Sequence, residues 1–117
     1  MNPYELIGMQ YRLGSDPQKH GTADCLSLAR TVLDFYGIPS TPPRRSWYRR
    51  LKNKDYSVFQ EELERWGEKT LEPTIGSVAL CQSDEGYGLA VYFEEGCLSF
   101  VGSAVRWSPI ENLQVVA

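Results

Sequence analysis

Histidine and cysteine are scarce in this 117-residue sequence, which has one histidine and three cysteines, Cys25, Cys81 and Cys97. The cysteines do not form a C-x-x-C pair or any other spacing typical of metal ligands, so neither a metal nor a cofactor is expected. An odd number of widely spaced cysteines also fits reduced thiols better than a disulfide framework. We therefore expect three free thiols.

Long apolar runs are missing as well. No stretch of 18 apolar residues occurs, which argues against a membrane-spanning helix and against a membrane partner. The first five residues lack the basic and apolar regions of a signal peptide, so synthesis in a cytoplasm is expected. Repeats, low-complexity tracts and long linkers are absent too. One domain over residues 1–117 is the expected organisation.

The sequence has no excess of positive charge. Its net charge is −3 and its pI is about 5.1, which is not typical of a nucleic-acid-binding protein. The charges are nevertheless segregated, with basic residues concentrated in the stretch 44–54 and glutamates in the stretch 61–72. We interpret these as two solvated surfaces of opposite sign. The alternative is that the basic stretch 44–54 binds an anionic partner.

Helical patterns occupy the first two thirds of the chain. An Asn-Pro pair predicts a short helix over residues 3–9. Apolar residues at helical spacing predict the clearest helix over residues 25–36, with Asp24 or Thr22 as its N-cap and Gly37 as its stop. Between these helices, residues 14–17 have the composition of a turn-rich loop.

A further helix is predicted after the basic stretch. Ser57 and Gln60 match a capping box, and Phe59, Leu63 and Trp66 then recur on one helical face. Gly67 is expected to end this helix.

From residue 75 onward the pattern changes to short β-rich segments separated by turn residues. The predicted strands cover residues 77–81, 88–93, 97–101, 104–107 and 114–116. Glu94-Glu95-Gly96 is predicted to form a tight hairpin turn, and the capping-box pattern of residues 108–111 predicts a helical turn. Helices followed by an antiparallel sheet define an α+β architecture.

Cys25 stands at the start of the clearest predicted helix. Helix N-termini carry partial positive charge, which lowers the pKa of a thiol and favours the nucleophilic thiolate. The alternative is that Cys25 is a small apolar residue that faces the core.

The residues around Cys25 resemble the signature of the NlpC-type cell-wall cysteine peptidases, which have a papain-like fold. The matching segments, in order, are Tyr11-Arg12-Leu13-Gly14, Thr22-Ala23-Asp24-Cys25-Leu26-Ser27-Leu28, Tyr36-Gly37-Ile38-Pro39, the stretch 73–80 and the stretch 89–96. Trp47-Tyr48-Arg49-Arg50 and the stretch 59–66 resemble an insert of phage-tail-associated members. The resemblance implies N-terminal helices packed on a small antiparallel β-sheet.

The resemblance also implies roles for individual residues. By matching position, Cys25 is the nucleophile, and its backbone N–H helps to form an oxyanion hole. Tyr11 matches the tyrosine that stands beside the nucleophile, with a core aromatic residue as the alternative. The third polar residue, which orients the general base in the family, falls near Ser99-Phe100, where Ser99 is the candidate.

The histidine that serves as general base in the family is missing. Its strand starts here near Gly88-Leu89, and neither residue transfers protons; loss of such a group commonly costs several orders of magnitude in rate. His20 is the only histidine and lies five residues before Cys25. It either approaches the thiol from another side or is a surface residue of the loop.

Three functions follow from these observations. We favour a degenerate domain that acts as a structural or binding component of a phage tail or tail-tip assembly, with other tail proteins as partners and the virion as its location. The second is an active peptidase or amidase that cleaves peptidoglycan stem peptides, with His20 or a histidine from a neighbouring subunit as base. The third is a binder of nucleic acid or another anionic surface that uses the stretch 44–54.

Overall fold

The computed structural model describes residues 1–40, 42, 45–67, 74–83 and 86–109. These residues form a mixed α+β fold. A 3-10 helix at Pro3–Leu6 comes first. The helices that follow are α1 (Pro17–His20), α2 (Cys25–Phe35), α3 (Arg45–Lys52) and α4 (Ser57–Trp66). The strands are β1 (Gln10–Tyr11), β2 (Thr22–Ala23), β3 (Val78–Ser83), β4 (Gly86–Phe93), β5 (Gly96–Val101) and β6 (Ala104–Pro109).

The described strands form one sheet in the order β2-β1-β6-β5-β4-β3. Strands β3 to β6 make an antiparallel meander, β1 is antiparallel to β6, and β2 joins β1 in parallel. Because side chains alternate along a strand, alternate residues of β4 and β5 face the helices. Leu89 and Val91 of β4 and Leu98 of β5 are on that face and are buried there.

Helix α2 forms for the local reasons that its sequence indicates. Asp24 is the N-cap, and it makes a capping box with Ser27: the Ser27 N–H donates to Asp24 Oδ1 (2.8 Å), and the Asp24 N–H donates to Ser27 Oγ (3.0 Å). Gly37 follows the helix with φ +73°, a conformation that favours glycine. The predicted α2 is therefore confirmed, with Asp24 rather than Thr22 as its cap.

Two buried clusters connect the helices to the sheet. The first, called here the Val91 cluster, joins α2 and the 3-10 helix to the middle of the sheet; its members are Leu6, Leu28, Ala29, Val32, Val91, Phe93, Leu98 and Val105. The second, called the Cys25 cluster, joins the start of α2 to α3 and α4; its members are Cys25, Leu26, Trp47, Val58, Phe59, Leu80 and Leu89.

The first predicted helix is shorter than expected. It is a 3-10 helix that ends at Leu6, because Ile7 is extended (ψ 127°) and Gly8 takes φ +90°. The predicted loop at residues 14–17 leads directly into α1, which has Asp16 as N-cap and Pro17 at its first position.

The capping box predicted at Ser57 and Gln60 is wrong. Ser57 is the first residue inside α4, and its N-cap, Tyr56, makes no side-chain capping hydrogen bond. Ser57 Oγ instead bonds to Asp55 Oδ1 at 2.5 Å. Gly67 ends α4 as predicted. The basic stretch contains α3, a helix that the sequence pattern did not indicate.

The strands of the meander are confirmed. The hairpin between β4 and β5 turns through Glu94 (φ +51°) and Glu95 (φ +59°), as predicted. The helical turn predicted from residue 108 is wrong at its start, because Ser108 and Pro109 continue β6 in register with β5. The rest of that turn and the predicted strand 114–116 lie outside the described residues.

Within the described residues, none of the helices has the length and apolar character needed to cross a membrane. The same part of the chain contains no group of three or more His, Cys, Asp or Glu side chains arranged to hold a metal ion.

Candidate active site around Cys25

Cys25 is the first residue of α2, at the point where this helix packs against the sheet. Its side chain is almost completely buried, with 7% of the residue exposed. Apolar residues of α3, α4, β3 and β4 surround it in the Cys25 cluster. The sequence therefore located the cysteine at the head of a helix correctly, and the structure adds that other segments cover it.

Burial, with a smaller contribution from the neighbouring Asp24 carboxylate, raises the pKa of the Cys25 thiol to about 12. Hydrogen bonds from the backbone N–H groups of Leu89, Cys25 and Leu26 act in the opposite direction, but desolvation outweighs them. The N–H groups at the helix N-terminus thus act in the expected direction, but the net shift of the Cys25 pKa is upward. Cys25 is a protonated thiol at neutral pH.

Leu89 lies directly beside the sulfur. It belongs to the Cys25 cluster with 2% exposure, and its backbone N–H hydrogen-bonds to the thiol. Gly88, the preceding residue of β4, is on the opposite face by strand alternation. Of the two residues that sequence analysis considered at this point, Leu89 is the one that faces Cys25, and its side chain neither accepts nor donates a proton.

Tyr11 lies on β1 near Cys25 and Asp24. Its ring packs edge-on against Phe100, with 5.1 Å between ring centroids, and 42% of the residue is exposed. Burial raises the pKa of Tyr11 to about 12, with further contributions from Cys25, Asp24 and Tyr56. The structure therefore brings Tyr11 and Cys25 together, with Tyr11 as a protonated phenol at the protein surface.

Ser99 is on the other face of the sheet. Its neighbours along β5, Leu98 and Phe100, pack against the buried clusters, so alternation turns the Ser99 side chain away from them. Phe100 rather than Ser99 lies next to Tyr11. The structure does not bring Ser99 to Cys25.

His20 is the last residue of α1 and is exposed. Its Nδ1 accepts a hydrogen bond of 2.9 Å from the backbone N–H of Asp16. This contact holds the imidazole over its own short helix, and His20 is not among the groups that affect the pKa of Cys25. The placement agrees with a surface residue.

Asp24 has a larger role than that of a helix cap. It is buried (1% exposed), and its second carboxylate oxygen accepts a 2.9 Å hydrogen bond from the Gly14 N–H. This bond joins the turn after β1 to the start of α2 and so positions Tyr11 relative to Cys25. Burial raises the pKa of Asp24, although hydrogen bonds from Ser27, Gly14 and Leu26 oppose the shift.

Sequence analysis missed the aromatic side chains that α3 contributes. Trp47 is 2% exposed and packs edge-on against Tyr48 and Phe59, with centroids 5.0 and 5.8 Å away. Burial and Asp24 raise the pKa of Tyr48, which lies near the same carboxylate. The signal was present as a Trp-Tyr pair within a basic stretch, but only tertiary contacts show that it covers the cysteine.

Comparisons with known proteins give no match: no protein-family model, no curated protein and no solved structure is similar to this chain. The interpretation of the site therefore depends on its own residues and geometry.

Proposed function

We propose that this chain is a degenerate NlpC-type, papain-like domain that acts as a structural or binding component, in a phage tail or tail-tip assembly, and does not cleave peptides. The observation that carries the proposal is the environment of Cys25. Its sulfur is buried and protonated, and Leu89 lies beside it where the resemblance requires a histidine.

The proximity in the fold of segments that are distant in sequence supports the papain-like lineage. Tyr11, Cys25 and Leu89 are matched to the family independently, from three separate segments of the sequence, and they are neighbours in the fold. The helix that begins at Cys25 packs on an antiparallel meander, as the resemblance implies. Chance matches in sequence would not be expected to converge on one sulfur atom.

The chemistry of the site argues against peptide cleavage. Thiol acyl transfer needs a thiolate, a base that creates it and an acid that protonates the leaving amine. The Leu89 side chain is neither a base nor an acid. The ring of His20 accepts a hydrogen bond from the Asp16 N–H instead of contacting Cys25. The stretch that resembles the insert of phage-tail members adds Trp47 and Phe59 to the cover of the sulfur. In this proposal the insert contributes to burial of the degenerate site.

A cleavage assay tests the loss of activity. We expect the purified protein to release no new amines from peptidoglycan stem peptides, with the same blank result for Cys25→Ala. In a phage that encodes this chain, Cys25→Ala is expected to leave particle assembly and infectivity unchanged. If the wild type released amines and Cys25→Ala did not, the proposal would be contradicted and an active peptidase would be favoured.

A second test restores the missing group. If Leu89 occupies the place of the base, Leu89→His should put an imidazole beside the sulfur and lower the pKa of Cys25. We expect alkylation of Cys25 by iodoacetamide at pH 8 to become at least about tenfold faster than in the wild type. Mass spectrometry of the Cys25 peptide measures the rate.

The matched control is Leu89→Asn, which puts a polar side chain without a base into the same buried position. Both variants are expected to lose stability, because a buried leucine is replaced by a polar group. Equal acceleration in both would show that only packing had been loosened. No acceleration in a folded Leu89→His would show that position 89 is not that of the base. Either result argues against the lineage.

A further inference from the structure

An exposed aromatic surface lies at the far end of β4 from the Cys25 site. Phe93 is buried at its centre (2% exposed). The Tyr4 ring packs edge-on against Phe93 with 5.0 Å between centroids, and the Tyr36 ring lies 6.5 Å from it. Phe35 continues the surface beyond Tyr36, at 5.2 Å. The aromatic patch, as it is called here, consists of the exposed Tyr4, Phe35 and Trp107 and the partly buried Tyr36.

Much of this patch is open to solvent. Tyr4 is 58% exposed, Phe35 47% and Trp107 41%. Scattered exposed apolar side chains need no explanation, but several aromatic rings arranged around one buried phenylalanine form a continuous surface. Tyrosine and tryptophan are the residues that most often dominate the binding energy of protein interfaces.

The Trp107 ring and the backbone of Tyr4 are held in place before any ligand binds. The Trp107 indole N–H donates a 2.9 Å hydrogen bond to the Phe93 carbonyl oxygen. The indole also lies against Gly96, where an added Cβ would be 2.5 Å from the ring. Tyr4 follows Asn2, whose side chain accepts the Tyr4 N–H at 3.0 Å. A fixed surface loses less conformational entropy on binding.

The carboxylate of Glu94 lies near two of these rings. Glu94 follows Phe93 in the hairpin turn, and it lies close to both Tyr4 and Tyr36. Local desolvation raises the pKa of Tyr4, and the Glu94 charge and a hydrogen bond between the two side chains add to the shift. In the part of the chain that the structure describes, the ion pairs involve Arg50 and Arg65, and neither Glu94 nor Glu95 has a cationic partner.

The turn that carries the carboxylates is conformationally costly. Glu94 and Glu95 both have positive φ, at +51° and +59°. Two-residue hairpin turns of this kind favour asparagine and glycine, which adopt positive φ more easily than glutamate does. Folding alone does not explain two glutamates here, and residues held in such conformations are often functional.

We propose that the aromatic patch, with Glu94 beside Tyr4 and Tyr36, binds a cationic side chain, a lysine or arginine presented by a partner protein. The ammonium or guanidinium group would form an ion pair with the Glu94 carboxylate, and the faces of the aromatic rings would attract the same positive charge. Within the described residues no cation neutralises the carboxylates of Glu94 and Glu95, and this charge favours a basic occupant. The patch is remote from Cys25, so this inference does not depend on the proposed function.

A saccharide is the other class of ligand that stacks on exposed aromatic rings. A sugar has no positive charge that could pair with the two carboxylates of the turn. A basic protein segment is therefore the better match. Titration with a charged peptide, a neutral peptide and a sugar oligomer distinguishes these two classes of ligand.

The probe is a capped seven-residue peptide with one arginine among glycines and serines, and the matched peptide has citrulline in place of arginine. Titration of the nitrogen-15-labelled full chain is followed by NMR. We expect shifts in the amide signals of Tyr4, Tyr36 and Glu94 and in the Trp107 indole signal. Binding of a single side chain is expected in about the millimolar range, and at least about threefold weaker for citrulline.

Two matched variants test the carboxylate. Glu94→Gln keeps the side-chain size and is expected to weaken binding of the arginine peptide at least about threefold. Glu64→Gln removes the same charge from an exposed position of α4 and is expected to leave binding unchanged. The proposal is overturned by any of the following: no shift with the arginine peptide, equal binding of the citrulline peptide, equal loss in both variants, or shifts at these residues only with an N-acetylglucosamine oligomer.

Discussion

Cys25 is expected to react with iodoacetamide at pH 8 about a thousandfold more slowly than an unhindered cysteine, because only the thiolate is an effective nucleophile. Raising the pKa of the thiol from its ordinary value of 9.0 to about 12 lowers the thiolate fraction by that factor. Burial beneath Trp47 and Phe59 also restricts access of the reagent, which slows the reaction further.

The measurement is a time course of alkylation with mass-spectrometric mapping of each cysteine. The other two cysteines are internal references: burial raises the pKa of Cys97 to about 11 and also raises that of the half-buried Cys81. We expect Cys25 to be the slowest of the three in the native chain. In concentrated denaturant, all three should react at similar rates.

Rapid modification of Cys25 in the native protein would contradict this prediction. It would mean that the sulfur is accessible and ionised, as a catalytic nucleophile requires, and it would revive cleavage of peptides as the function. A slow reaction in the native state that becomes fast on unfolding is the pattern expected of a buried structural thiol.

The elements that sequence analysis predicted well are those whose causes are local. Asp24 and Gly37 define the ends of α2 through side-chain capping and positive φ, and both signals are readable within a few residues. The hairpin through Glu94 and Glu95 was indicated in the same way. By contrast, β1 and β2 have two residues each and form through pairing between distant segments, which leaves no periodic pattern to detect.

Helix α3 shows why a highly charged segment is wrongly interpreted as a solvated stretch without contacts to the core. Its basic residues suggested a solvated stretch, yet the buried Trp47 attaches it to the core, and Tyr48 and Leu51 pack against the same cluster. Propensity and charge pattern describe the exposed face of such a helix. The contact with Phe59 that makes it part of the fold comes from α4, and no local pattern predicts it.

The sequence predicted the place of Cys25 at the start of a helix but not the environment of its thiol. The capped start of α2 located Cys25, while the pKa of the thiol depends on side chains of α3, α4, β3 and β4 that exclude water. For Ser99 the sequence did contain the answer. Leu98 and Phe100, the neighbours of Ser99 in β5, are large apolar residues, and a shift of one residue along a strand changes the face of the sheet.

Replacing Asp24 by alanine is expected to reduce the free energy of unfolding by about 3 kcal/mol. The carboxylate caps α2 through the Ser27 N–H and also accepts the Gly14 N–H. Loss of a helix cap costs about 1 kcal/mol, and a buried N–H left without an acceptor costs about 1–3 kcal/mol. Relief of the buried charge offsets part of this sum. Denaturant unfolding followed by fluorescence measures the change.

Asp24→Asn adds a pH dependence to the test. Burial raises the pKa of Asp24 in the folded chain, so the native state holds this proton more tightly than the unfolded chain does. The resulting stability is complete below the ordinary pKa of 3.8 and is lost as the pH rises through the folded value. Asparagine does not titrate, so the advantage of the wild type over Asp24→Asn should be largest in acid and should shrink towards neutral pH.

Asp34→Ala is the matched control, because Asp34 is an exposed aspartate on the same helix. Near the C-terminal end of α2 its negative charge is unfavourable to the helix dipole, so the substitution should be neutral or slightly stabilising. If Asp24→Ala were as harmless as Asp34→Ala, the bond to Gly14 would not hold β1 against α2. The convergence of Tyr11 on Cys25, on which the proposed lineage depends, would then lose its structural cause.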